Sequence, residues 1–303
     1  MRRNFTALFI YSALFITGGA FAQTATDGLM MPGKNFCSGF ITTQDSWDHY
    51  WEGSLKRVNG NVGTVSTSSI AWMGNYGISD RFNAIAMLPW VATNATGGTL
   101  KPMQGLQDLS LTLKYQLKEF RPDSLTKLKL FVVGHGSTPV SNYTPDYLPL
   151  SIGLGSTQGG GRITLFAERS NWYLVTSAGY TFRGNVTLDR QSYYTDGALY
   201  LTNKVAMPQV FDMVTGIGRI NNGLETKINW YHQRTLGGGD IRRQDMPFVS
   251  NRMNSSRVEL LAMYYLPKSR RLALRASVSR TIAGRNVGES TTVLGGILYT
   301  FKF

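Results

Sequence analysis

Asp108-Leu109-Ser110-Leu111-Thr112-Leu113-Lys114-Tyr115-Gln116-Leu117-Lys118 alternates polar and apolar residues without a break. Successive side chains of an extended strand point to opposite faces, so this stretch predicts a strand with one greasy and one wet face. A helix would need apolar residues at i, i+3 and i+4, and such stripes are scarce along the chain. The period of two recurs. Leu224, Thr226, Ile228 and Trp230 oppose Glu225, Lys227, Asn229 and Tyr231. Val258, Leu260, Ala262, Tyr264 and Leu266 oppose Arg257 and Glu259, and Leu272, Leu274, Ala276 and Val278 oppose Arg271, Arg275, Ser277 and Ser279.

Extended over the whole chain, this reading predicts about twelve strands, at 45–57, 63–78, 81–92, 105–119, 125–136, 160–169, 172–184, 207–220, 223–235, 256–266, 271–284 and 290–303. Many exceed the usual strand of roughly 5–6 residues and suit a tilted crossing of a hydrocarbon layer ~30 Å thick. Every second connection is tight: Ser79-Asp80, Phe120 to Ser124, Ser170-Asn171, Asn221-Asn222 and Pro267 to Arg270. Most of the others are long, at 93–104, 137–159, 185–206 and 236–255. Short periplasmic turns alternating with long extracellular loops are the habit of outer-membrane barrels.

Alternation alone does not say which face is inside, because a soluble sandwich shares it. Two features favour a membrane barrel. Aromatics gather at strand ends, at Trp47, Trp51, Trp90, Trp172, Tyr173, Phe182, Phe211 and Tyr299, as interfacial girdles require. The chain also ends Tyr299-Thr300-Phe301-Lys302-Phe303, an amphipathic strand closing on Phe303, which resembles the terminal signal read by the barrel-assembly machinery. The expected fold is therefore all-β: a closed antiparallel transmembrane barrel with its apolar face outward. Closure leaves no strand edge unpaired, which lipid demands.

The chain carries 31 Lys+Arg against 18 Asp+Glu, a net charge of +13, yet only 16% of its residues are charged. Its basicity is a shortage of acids, spread singly over strands, which argues against nucleic acid as a partner. Arg2 and Arg3, the apolar run Phe5 to Ile16 and Ala20-Phe21-Ala22 read as a signal peptide over 1–22. Residues 23–44 then form a periplasmic segment ahead of a barrel over 45–303. One cysteine, Cys37, excludes a disulfide framework and a Cys-rich zinc site, and it reads as a free structural thiol. Phosphate-loop, dinucleotide, HExxH and GxSxG patterns are absent, so no cofactor or metal is expected.

Tyr76-Gly77-Ile78-Ser79-Asp80-Arg81, then Leu88-Pro89-Trp90-Val91, then Gly105-Leu106-Gln107-Asp108-Leu109 through Lys114-Tyr115 form an ordered set. It resembles the phenol-degradation meta-pathway family of outer-membrane β-barrel proteins, with Gln107 standing where that family usually has Gly. The likeness covers about a sixth of the chain and implies a transporter-like channel for small organic solutes, aromatic or hydrophobic.

With the apolar set on lipid, parity assigns the lumen to Asp48, Glu52, Lys56, Lys114, Lys127, Lys129, Arg162, Glu168, Glu225, Lys227, Arg257, Glu259, Arg271 and Arg275. Their excess of bases predicts a mild anion preference, while the bland alternative is salt bridges filling a narrow interior. The rival class is an outer-wall lipid hydrolase, for which the chain offers only His49, His135 and His232 as bases. A third reading is a structural or adhesive barrel working through its loops. Arg242, Arg243 and Arg252 in the loops are expected to contact lipopolysaccharide.

Overall fold

The computed structural model describes residues 24–267 and 271–303, and among them every regular element is a strand. The expected signal peptide lies outside the described residues, as does most of the expected turn at Pro267 to Arg270. Twelve long strands form the wall: β1 (Asn35–Trp47), β2 (Val65–Ser79), β3 (Phe82–Ala95), β4 (Asp108–Phe120), β5 (Thr126–Pro139) and β6 (Gln158–Arg169) come first. They are followed by β7 (Trp172–Arg183), β8 (Gln209–Asn221), β9 (Leu224–Leu236), β10 (Asn254–Tyr265), β11 (Leu272–Arg285) and β12 (Thr291–Lys302). Each pairs antiparallel with the next, and β1 pairs with both β2 and β12. The sheet is a closed ring.

The face question is answered by accessibility. Leu109, Leu111, Leu113, Tyr115 and Leu117 are all at least 40% exposed, whereas Lys114 is 0% exposed and Gln116 7%. Apolar side chains point out and polar ones in. A belt of this kind is stable against hydrocarbon, since exposed Leu, Ile, Phe and Val dominate the exterior of most strands.

The alternation through Lys118 fails at its end. A register shift between Gln116 and Lys118 inserts one extra residue, so Lys118 turns outward and Glu119 inward. A bulge reverses parity for whatever follows it.

The first strand differs from the expected 45–57. It begins at Asn35, and 48–58 is a small hairpin, His49–Glu52 against Leu55–Val58, beyond the end of the wall. The outward row of β1 mixes Phe36 and Phe40 with Ser38, Thr42 and Gln44, so no amphipathic pattern marks it. What makes it a strand is pairing on both sides, with the free edges of β2 and β12. Residues 35–44 therefore belong to the wall, and the described part of the segment ahead of it is 24–34. The other strands lie within a few residues of expectation.

One end of the barrel carries the tight turns, Asp80-Arg81, 121–125, Ser170-Asn171 and Asn222-Gly223. At the last of these both φ values are positive, +49° and +83°, the form whose twist matches a hairpin and which glycine permits. The opposite end carries the connections 48–64, 96–107, 140–157, 184–208, 237–253 and the short 286–290. Of the expected girdle aromatics, Trp90, Trp172, Phe182, Phe211 and Tyr299 lie exposed on the outside, but Trp51 and Tyr173 are buried and Trp47 packs inward. Trp47 and Tyr173 have inward parity on wall strands and Trp51 belongs to the hairpin beyond the wall, so closeness to a strand end does not decide the face.

Candidate functional site: the barrel lumen

Eight strands make a barrel that side chains fill, and sixteen leave an open channel. A twelve-stranded interior is too wide for side chains alone, and here backbone enters it. Residues 24–34 climb into the lumen from the tight-turn end. At the rim Lys34 N–H donates to Gly77 O (2.7 Å) and Gly33 N–H to Asp80 Oδ1 (2.9 Å). Met31 is fully buried against Cys37, Ile41 and Met73, which makes Cys37 part of an apolar cluster under the inserted chain. Gly28 lies so close to the Phe166 ring that a Cβ there would fall 1.8 Å from it, so only glycine fits.

The deepest contact is electrostatic. Lys114, midway along β4, sends its ammonium to Asp27 Oδ1 (2.7 Å), Asp27 O (2.7 Å), Leu29 O (2.9 Å) and Thr24 O (3.1 Å). An ammonium has three protons, so these four acceptors satisfy it fully, with one proton shared. Breaking a buried pair by removing one partner typically costs about 3–5 kcal/mol, and Lys114 is therefore the main anchor of the inserted chain.

The inserted segment divides the interior. Below it, at the tight-turn end, a vestibule of about 920 Å³ is lined by Leu29, Met30, Gln116, Glu119, Lys127, Lys129, Glu168 and Tyr173, among others. Above it a chamber of about 440 Å³ is lined by Asp45, Trp47, Arg183, Val210, Asp212, Tyr231 and Arg257, among others. A space of only about 70 Å³ at the level of Asp27, Lys227, Asn229 and Arg275 lies at the waist.

Loops pack together at the same end as the chamber. Leu150 of the 140–157 connection bends into the mouth, where Thr93 Oγ1 donates to its carbonyl (2.7 Å). Val186, Leu188, Val205 and Met207 pack with Phe248 and Val249 into a small apolar core, flanked by Leu148 and Leu154. Asn286 joins three connections: its Oδ1 accepts from Gly53 N–H (2.8 Å) and Ile241 N–H (3.0 Å), and its Nδ2 donates to Asp240 Oδ1 (2.8 Å) and Arg252 O (2.7 Å). Asp240 is also gripped by the Arg285 guanidinium at 2.7 and 2.5 Å, and the hydrogen bond from Arg285 holds its carboxyl down to about 2. Glu289 is likewise lowered, by Lys56 first and Arg280 next.

Among the residues predicted for the lumen, Lys114, Lys127, Lys129, Arg162, Glu168, Glu225, Lys227, Arg257, Glu259 and Arg275 take inward positions on β4, β5, β6, β9, β10 and β11. Asp48, Glu52 and Lys56 do not, because the hairpin that bears them lies outside the wall; there Glu52 pairs with Arg57 (2.7 Å) and Lys56 with Glu289 (2.7 Å). Arg271 precedes β11 at the tight-turn end. Sequence reasoning missed Asp27, Asp45, Tyr173, Arg183 and Asp212. Arg183 and Asp212 share inward parity with Thr181 and Val210, but Gly and Val dilute the polarity of those rows.

The acids in the lumen have partners. Asp27 is on Lys114, Asp212 on Arg162, and Glu168 on Lys127 (3.2 Å). Tyr173 donates to Glu225, and Tyr231 (2.6 Å) and Asn229 (2.8 Å) donate to Glu259. Several cations do not have carboxylate partners among the described residues. Lys129 lies over the Phe166 ring (5.8 Å) and Arg257 over Tyr231 (4.8 Å), while Nε of Arg183 and of Arg275 is buried without an acceptor. Glu225 and Glu259 are held by neutral Tyr and Asn donors, so the interior keeps charges of both signs that no opposite charge neutralises.

The histidines are dispersed. His49 meets Asp48 in the hairpin (2.8 Å), and His135 meets Thr181 Oγ1 inside the lumen (3.0 Å). His232, on the outward row of β9, stacks on Trp230 and contacts Ser256 Oγ (2.9 Å). Among the described residues, no carboxylate or amide meets the other ring nitrogen of His232.

No family model matches the chain, and no curated protein matches it. Its fold is similar to that of the COG4313 outer membrane channel from Pseudomonas putida F1, with TM-score 0.69 and 15% identity over 89% of this chain and 97% of that one. The NanC porin is a more distant likeness, with TM-score 0.46 and 8% identity over 86% of this chain and 98% of that one. Geometry and comparison agree on the architecture: a closed, twelve-stranded antiparallel β-barrel of the outer-membrane type.

Proposed function

We propose that the protein sits in the outer membrane of a Gram-negative bacterium and lets small solutes pass without changing them. The observation that carries this reading is a polar, charged interior with an inner vestibule and an outer chamber, separated by a chain segment held mainly through one lysine. A solute path needs a wet lumen within an apolar belt, and the lysines and arginines left without a carboxylate partner favour anions over cations. The resemblance read in the sequence points to organic solutes, aromatic or hydrophobic. Export by the 1–22 signal peptide, delivery to the assembly machinery through Phe303 and no role for nucleic acid complete the reading.

Reconstitution into planar bilayers tests it. The wild type is expected to give discrete conductance steps, with a reversal potential on the anion side. Lys114→Met removes the anchor and leaves Asp27 unpaired, so residues 24–31 loosen and conductance rises about two- to tenfold, with added flicker, as a buried charge pair is lost. A silent wild-type barrel, with Lys114→Met equally silent, sinks the channel reading. The His232–Ser256 contact on the outer wall keeps a lipid hydrolase as the second reading, and phospholipid cleavage that disappears in Ser256→Ala would favour it.

A further inference from the structure

We infer that the outer chamber is a binding subsite for the carboxylate of a small organic acid with an apolar body. This rests on the channel reading only in making the acid a permeant solute. Arg183, at the loop end of β7, and Arg257, on β10, both line the chamber, which holds about 440 Å³. Neither has a carboxylate partner among the described residues, and Arg183 Nε is buried without any acceptor.

Two acids also line the chamber. Asp212 is taken by Arg162, and Asp45 accepts from Thr292 Oγ1 (2.6 Å). Tyr231 supports Arg257 from one side, its ring 4.8 Å from the guanidinium carbon, which leaves the in-plane N–H fork free. Buried donors without acceptors are costly, and a guanidinium fork matches the two oxygens of a carboxylate.

The remaining wall selects the body of the ligand. Trp47, Val210, Val214 and Tyr231 present rings and branched carbons to the same space. An inorganic anion would use the guanidinium groups and gain nothing from those walls. A carboxylate joined to an apolar group uses both.

Titration calorimetry on the full chain folded in detergent tests the subsite with benzoate, acetate and benzyl alcohol as probes. Benzoate is expected to bind saturably, acetate more weakly, and benzyl alcohol not at all. Arg183→Gln with Arg257→Gln together should weaken benzoate by about tenfold or more, the loss of charge-assisted hydrogen bonds. Each single substitution should fall between. Heat-modifiable migration on gels confirms that each variant is folded, and the single substitutions serve if the double one is not. Unchanged benzoate affinity in folded variants, equal binding of benzyl alcohol, or no saturable benzoate binding by the wild type overturns the proposal. A barrel that binds benzoate yet never conducts overturns the channel reading alone, and one that conducts without binding benzoate overturns the subsite alone.

Discussion

At the scale of single residues, the loop cap depends on Asp240. Its carboxyl is held at about 2 against an ordinary 3.8, with the Arg285 hydrogen bond as the leading cause. A carboxyl lowered on folding contributes stability that is complete above the ordinary value and is lost as pH falls through the folded one. The cap should therefore survive at pH ~3 and loosen as pH nears 2, from the shift just given. Pepsin digestion at pH ~3 should leave the 237–253 connection of the wild type intact, while Asp240→Asn, which has no such charge to lose, is already cut there. Equal cutting of both would remove the argument. None of this was legible in the sequence, where Gly237-Gly238-Gly239-Asp240 and Asn286 lie in connections that carry no motif. Their partners are remote along the chain, and only loop packing brings them together.

At the scale of elements, the alternating row of β4 was legible because each step of a strand turns the side chain over, and lipid and lumen select opposite chemistry. Leu113, 42% exposed near mid-strand, faces the belt beside the fully buried Lys114. Leu113→Arg should destabilise the barrel by about 2–4 kcal/mol, the depth-dependent penalty of a cation on the lipid face. Urea unfolding from phospholipid vesicles measures it, and a change below ~0.5 kcal/mol would contradict the outward assignment, since surface substitutions in water fall in that range. β1 escaped the same reasoning because its outward row is chemically mixed. Its existence follows from the hydrogen bonds that β2 and β12 would otherwise leave unmade. Parity also carried ten of the predicted lumen residues to the inside and misplaced Asp48, Glu52 and Lys56, because the strand was set ten residues too late.

At the scale of the molecule, the loop-end cations Arg242, Arg243 and Arg252 remain proposed contacts for lipopolysaccharide. Cations near an anionic membrane surface contribute about 1 kcal/mol each. Lipopolysaccharide is expected to raise the thermal unfolding temperature of the wild type, and to raise it less when the three arginines are changed to alanine. A shift of the same size in both would remove these residues from the contact. The width of the ring has the larger consequence. Twelve strands enclose more space than their inward side chains occupy, and residues 24–34 and Leu150 enter it.

The amino-acid sequence by itself determined the strand period and the alternation of tight turns and long loops, and with its amphipathic last strand closing on Phe303 it predicted a barrel with its apolar face outward. These are local properties: neighbouring side chains alternate, and turn residues bend the chain wherever it goes. Tertiary structure alone decided where the ring closes, that Lys114 holds the inserted chain through Asp27, and which cations in the lumen keep no carboxylate. Each of those is a meeting of residues far apart in the chain, and no pattern along it records such a distance.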